Sequence, residues 1–189
     1  MQIFYTDFDA RNAARSLVDQ HVNKQVAETA QILSNCYTLD EMRVADCPRT
    51  TTGTPRRHSY PHHPCCKWAQ INLQNFYWLI AHGRYLEDER LYRGFNPHYS
   101  YRFIEWCAWN PPQQPNEPMT KPPQAFGKWG YLIDPVDPVA GYRRYYNIAK
   151  WQQETLKKVW TNRKPPEWWE HNVESTELPD GRRVYRSDA

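Results

Sequence analysis

The sequence predicts a mainly α fold, a single helical domain with long proline-rich loops and a possible small C-terminal β-hairpin. Two observations carry the helices: apolar residues recur at spacings of three and four along Ala10 to Tyr37, and again along Pro64 to Arg93. A third concerns what separates them. The 16 prolines gather mostly in two segments, interleaved with aromatics, which marks ordered loops rather than disorder. Residues 1–171 are expected to form the helical domain and 172–189 a tail or hairpin.

Ile3 to Tyr5 can be a short strand or an extended lead-in, and Asp7 or Asp9 suits the N-cap of the first long helix. Within that helix Val18, Val22, Thr29, Ile32, Leu33 and Cys36 make an apolar stripe. At about 100° per residue, His21, Lys24, Glu28 and Gln31 fall together beside it. A half-shielded carboxylate next to a cation suits general acid/base work. The same spacing also describes a solvated helix edge with one Lys24–Glu28 pair, worth only about 0.2–0.5 kcal/mol.

Cys47 to Pro64, CPRTTTGTPRRHSYPHHP, breaks the periodicity. Pro64 then suits the first position of a second helix, capped from His62 or His63 and stopped at Gly94. Trp68, Ile71, Asn75, Trp78, Leu79, His82, Tyr85 and Leu86 would form its packing face, with Asn75 and His82 as satisfied buried polar groups. Tyr99 to Trp109 is an aromatic core segment, helical or extended. Asn110 to Pro123, with six prolines in 14 residues, must cross the surface as a semi-rigid loop, a wall or a lid. Asp137 caps a further helix with Pro138 in its first turn, running to about Trp160. Pro179-Asp180-Gly181 can close a hairpin of Thr176 to Leu178 against Arg183 to Tyr185.

A net charge of +3 does not by itself call for a nucleic-acid partner. Its distribution is more telling, because Arg56, Arg57 and Lys67, then Arg143, then Arg163 and Lys164 form local patches that could follow a phosphate backbone. In RKPPEWW, prolines stiffen a loop in which Trp168 or Trp169 could stack on bases while Arg163 and Lys164 meet phosphates; both tryptophans could equally plug the core. Cys47, His58, His62, His63, Cys65 and Cys66 crowd one loop, yet no CxxC spacing supports zinc. The motifs GxxxxGK[ST], GxGxxG and GxSxG are also missing. No metal and no cofactor is expected. Five cysteines, an odd number, read as free thiols. With no membrane-length apolar run, a cytoplasmic monomer is expected.

Asp19-Gln20-His21 followed after six residues by Glu28 resembles the first-helix motif of the phage pyrimidine-dimer DNA glycosylases of the endonuclease V type, small helical repair enzymes. The resemblance implies DNA as partner, a base exposed from the duplex, Glu28 as the catalytic carboxylate and His21 lining the site. RKPPEWW resembles that family's C-terminal DNA-contacting segment in character. Wider stretches resemble phage-encoded proteins, which would put the protein in a host cytoplasm: KxxxExxQIL at Lys24 to Leu33, the step from His62 to Trp68, Asp137 to Tyr146, and PxWW at Pro166 to Trp169. Two departures stand out. The family attacks with an α-amine exposed on a threonine after the initiator methionine is removed, whereas Gln2 stands here, behind which methionine is normally retained. The arginines beside the family's glutamate are absent, with Ala27 and Gln31 nearby instead.

The expectation is a glycosylase-like enzyme acting on a pyrimidine in DNA, with Glu28, His21 and Lys24 as catalytic residues. Lys24 would serve as a Schiff-base amine if burial lowers its pKa, or as a phosphate clamp. DNA contacts are assigned to Gln31, Arg56, Arg57, His62, His63, Lys67, Arg143, Arg163, Lys164, Trp168 and Trp169. The alternatives are a transferase of DNA base hypermodification and a non-catalytic DNA-binding or host-defence-blocking protein.

Overall fold

Asp9 opens the helical part of the chain, its carboxylate accepting the backbone N–H groups of Arg11 and Asn12 at 2.8 and 3.0 Å. The computed structural model describes residues 1–187; the last two positions of the expected tail, Asp188 and Ala189, lie outside the described residues. Helix α1 (Ala10–Ser16) ends at once, and α2 (Asp19–Leu33) begins after an extended Leu17-Val18 step. The single helix expected from Ala10 to Tyr37 is therefore two. The cause is Arg93, whose wholly buried guanidinium donates to the carbonyls of Arg15 and Leu17 at 3.0 and 2.8 Å and to Asp19 at 2.8 Å. It satisfies carbonyls that a continuous helix would have bonded internally. Beyond Leu33 a 3-10 turn (Ser34–Cys36) closes the element.

The second expected helix also divides. His63 caps α3 (Pro64–Ala69) with Pro64 at its first turn, and Asn72 caps a new helix, α4 (Leu73–Tyr92), by accepting Asn75 N–H at 2.9 Å. Ile71, in the break, is exposed rather than packed. Gly94, at φ +83, ends α4 in the left-handed region that glycine tolerates. Helix α4 is the central element, against which α1, α2 and α5 (Tyr101–Trp109) pack. Leu33, Phe76, Leu79 and Ile104 are fully buried there, each side chain contributing about 1.5–3 kcal/mol.

The proline-rich loop lies over the α3–α4 junction, where Pro115, Pro118 and Thr120 carbonyls accept Leu73 N–H, Asn72 Nδ2 and Trp68 Nε1. Helix α6 (Pro138–Tyr145) starts from Asp137 as expected, but it passes into a π-helical turn (Tyr146–Lys150) and does not reach Trp160. Val159–Thr161 instead forms β1, β-branched and aromatic as strands prefer. Strands β2 (Glu174–Glu177) and β3 (Arg183–Arg186) make the expected hairpin, with Thr176 opposite Val184, and β3 lies between β1 and β2 in an antiparallel sheet. Among the described residues no helix is long and apolar enough to cross a membrane.

Candidate active site

Helix α2 carries its polar cluster to a cleft of about 530 Å³. One side is formed by Met1, Gln2, Phe4, Gln20, His21, Lys24, Gln25, Glu28 and His63, the other by Ala125 to Gly127, Tyr145, Lys150, Gln153, Thr155 and Leu156. Glu28 is the focus. It is buried, and its Oε2 accepts the backbone N–H of Gln2 at 3.0 Å and Gln25 Nε2 at 2.7 Å. Its Oε1 lies 3.0 Å from Lys24 Nζ and 3.9 Å from the α-amino nitrogen of Met1. Burial pushes the Glu28 pKa up, but the Lys24 hydrogen bond, the Met1 amine and the Gln2 N–H outweigh it, so the net shift is downward. A buried carboxylate is thereby kept ionised.

The chain start is held from several directions. The Met1 side chain is 4% exposed and its sulfur lies 3.5 Å from Cys66 Sγ. The Gln2 side chain bonds the Ala125 carbonyl and the Tyr142 hydroxyl. Phe4 adopts φ +41, strained for a bulky residue, and its ring stacks on His21 with centroids 4.5 Å apart. His21 is buried, with Nδ1 2.7 Å from the Tyr146 hydroxyl. Burial, then the charges of Lys150 and Lys24, push its pKa down to about 3, so its ring is neutral.

Lys24 is not desolvated. Its side chain is 67% exposed, so the burial that would suit it to a Schiff base is missing. Lys150, which the sequence alone does not mark out, is half-buried against the Phe4 and Tyr145 rings, 5.8 and 5.3 Å from their centroids. Burial and then Lys24 lower its pKa, opposed by Glu28. Gln2, Gln25 and Tyr146 are invisible as site residues in the sequence, the Tyr146–His21 contact spanning 125 residues (146 − 21), whereas the resemblance had raised the α-amine of the chain start. A clue lay in the text from Asp137 to Tyr146, which had suggested kinship but no site.

The residues expected at DNA divide into groups. Arg143, Arg163, Lys164 and Trp168 gather with Arg15 around a second, open cleft of about 660 Å³. There Arg143 pairs with Asp7 at 3.2 Å and lies over Trp168, and Arg163 makes two 2.8 Å bonds to Glu89. Lys164 is exposed. Trp169 corrects the expectation: it is 8% exposed, donates Nε1 to Ser187 Oγ at 3.1 Å and packs on Trp151 and Trp160, so it plugs the core. Gln31, Arg56 and Arg57 line a separate shallow depression, away from Glu28 although Gln31 is on the same helix. Arg56 stacks over Phe103 at 4.4 Å. His62 and Lys67 are exposed outside the Glu28 cleft, whereas His63 lines it. The proline-rich segment 110–123 does not cover the cleft; the wall begins just beyond it, at Ala125. Among the described residues no three His, Cys, Asp or Glu side chains are grouped to hold a metal.

An amine thus lies beside an ionised, buried carboxylate in this cleft. Residues 1–103 match the family described as pyrimidine dimer DNA glycosylase. The chain belongs to that family. Membership carries a DNA glycosylase-like function, with DNA as the implied substrate. No curated protein and no solved structure matches the chain. In this member of the pyrimidine dimer DNA glycosylase family, the matched segment holds Met1, His21, Lys24 and Glu28, whereas Tyr145, Tyr146 and Lys150 lie beyond it.

Proposed function

We propose that the protein removes a pyrimidine base from DNA, with Glu28 as catalytic carboxylate and the α-amine of Met1 as nucleophile. The supporting observation is the 3.9 Å approach of that amine to Glu28 Oε1, with both side chains shielded from solvent. Lys24 is set aside as nucleophile because it is exposed; it serves as the cation that keeps Glu28 ionised. The Met1 ammonium first gives one proton to water, and the freed lone pair of its nitrogen attacks C1′ of the deoxyribose. The C1′–N1 bond breaks, and its electron pair leaves with the base. Glu28 stabilises the positive charge that develops at the sugar and takes the proton released from the attacking nitrogen. The nitrogen lone pair then forms a double bond to C1′, the C1′–O4′ bond breaks, and O4′ takes back the proton held by Glu28, which leaves an open-chain sugar joined to Met1 as a protonated imine.

Reaching C1′ requires the duplex to be bent or a nucleotide exposed. The open cleft of Arg15, Arg143, Lys164 and Trp168 supplies cations and an aromatic face for the flanking strand. Trp168, rather than Trp169, is the stacking residue of this reading.

The test is incubation with duplexes carrying normal, ultraviolet-damaged or modified thymines, with and without borohydride, followed by intact-mass analysis and peptide mapping. Base loss with a reduced adduct at Met1, abolished by acetylating or extending the N-terminus, is the expected result. An adduct at Lys24 or Lys150 would reject Met1 as nucleophile. Mass gained on the base without loss would replace base removal by group transfer, and binding without chemistry on any duplex would reject an enzyme.

A further inference from the structure

Tyr146 makes no contact with the proposed nucleophile or carboxylate, yet its ring is wholly buried behind the cleft. Its hydroxyl touches two groups. The backbone N–H of Val18, which can only donate, lies 3.0 Å away, and His21 Nδ1 lies 2.7 Å away. A phenol has one proton to give. If it accepted from both neighbours, that proton would be sealed in the core without an acceptor, at a cost of about 1–3 kcal/mol. Giving it to Nδ1 satisfies all three groups. Burial raises the Tyr146 pKa, so the phenol keeps its proton.

With Nδ1 occupied as an acceptor, the neutral imidazole carries its proton on Nε2. That nitrogen has no partner in the protein, and it is not among the buried polar atoms left unpaired within the core; its ring lines the cleft. The assembly is stiff. Phe4 stacks on the imidazole, and Trp168 and Trp169 meet the Tyr146 ring edge-on at 5.8 and 6.1 Å. Tyr146 also opens the π-helical turn that ends at Lys150, a local geometry often found at functional sites.

We infer that Tyr146 is a positioning residue that fixes His21 in the Nε2-protonated tautomer, making the histidine a standing hydrogen-bond donor to a carbonyl oxygen of the pyrimidine. Only the choice of acceptor rests on the base-removal reading. When the C1′–N1 bond breaks, its electron pair spreads from N1 onto the ring carbonyls. A preorganised N–H directed at O2 stabilises that charge without giving up its proton, and water protonates the departed base. His21 is then an electrophile and not a proton carrier.

The experiment is long-range ¹H–¹⁵N correlation on the full chain labelled at histidine nitrogen, with His21 assigned by the signal lost in His21→Gln. The expected signature is an acceptor Nδ1 and a protonated Nε2, unchanged from about pH 8 to about pH 5, across the range where an ordinary histidine titrates. In Tyr146→Phe, the Nδ1 signal should move toward a tautomer mixture. In the glycosylase assay the same variant should lose about tenfold or more in kcat with KM little changed, as expected for a donor used mainly in the transition state. An Nδ1-protonated ring, or titration of His21 near its ordinary value in the unmutated protein, overturns the inference even if Tyr146→Phe does not fold. The expected tautomer in a protein inactive on every duplex would uphold the positioning role and reject the base-removal reading instead.

Discussion

Glu28→Gln is the substitution that bears most directly on the proposed chemistry. The amide keeps the shape and one acceptor oxygen, so the Gln2 N–H at 3.0 Å retains a partner, but the charge facing the Met1 nitrogen at 3.9 Å is removed. Opposite unit charges about 4 Å apart interact by about 4 kcal/mol at an effective dielectric of about 20. A cation developing at the sugar is farther from the carboxylate and only partial, which leaves about 3 kcal/mol, or roughly a hundredfold in rate. Lost proton acceptance adds to this, so turnover is expected to fall by at least about 10² while duplex affinity changes by less than about threefold. Single-turnover base release and borohydride trapping measure the first, and fluorescence anisotropy with the same duplex the second. Thermal unfolding separates catalysis from folding. Undiminished base release in a folded Glu28→Gln protein would refute the role of the carboxylate; an equal loss of binding and turnover would make it a binding group.

Arg93→Met should destabilise the protein by about 3–5 kcal/mol in urea unfolding, because it strips the buried cation from Asp19 and Glu89 and from the carbonyls between α1 and α2. Gly83→Ala places a Cβ 2.9 Å from Ile104 Cδ1 and 3.1 Å from Thr29 Cγ2, where α4 meets α2 and α5, and should cost about 1–3 kcal/mol in the same measurement despite its better helix propensity. His82, expected to be a satisfied buried group as Asn75 is, instead lies fully buried with both ring nitrogens unpaired, and burial holds its pKa down to about 3. The unfolded chain binds its proton near pH 6.5, so stability should fall with decreasing pH between about 6.5 and 3 by up to about 1.4 kcal/mol per pH unit. His82→Leu should flatten that slope in unfolding titrations. Trp168→Ala should weaken duplex binding and cost less stability than Trp169→Ala, which should lose about 3–5 kcal/mol without a matching effect on binding, as denaturation and anisotropy read separately.

The helix starts were legible because capping is a local negotiation. Asp9, His63-Pro64 and Asp137-Pro138 all begin the helices expected of them, and Gly94 ends one. The interruptions were not, because their causes lie far along the chain. Leu17 and Val18 continue an apolar stripe that looks helical, and it is Arg93, 76 residues on, that pulls the backbone out of the helix. Val159 to Thr161 becomes a strand only because β3 lies beside it. The His21, Lys24, Glu28 cluster was readable from helical spacing. Periodicity could not foresee that Lys24 stays in water while the first residue's nitrogen enters the cleft. Trp168 and Trp169, adjacent in sequence and both against Tyr146, are separable only by their other partners, Arg143 for the first and Trp160 for the second.

The two sides of the cleft differ in their relation to the family, and that difference bears on how the reaction would be divided. The nucleophile and the carboxylate of the proposed reaction both lie in the segment that matches the pyrimidine dimer DNA glycosylases. Lys150, Tyr145 and the hydroxyl that orients His21 come from α6 and its π-helical turn, outside that segment. Attack at the sugar needs an amine and a carboxylate near C1′ whatever the base. Recognition of the base needs donors and aromatic faces spaced to fit its ring, and the second wall adds Phe126, Tyr145 and Lys150 to the Phe4 and His21 rings of the first. Substitutions of Tyr145 and Lys150 should therefore change which pyrimidine is released, while substitutions at the start of the chain, like Tyr146→Phe, should change how fast any is.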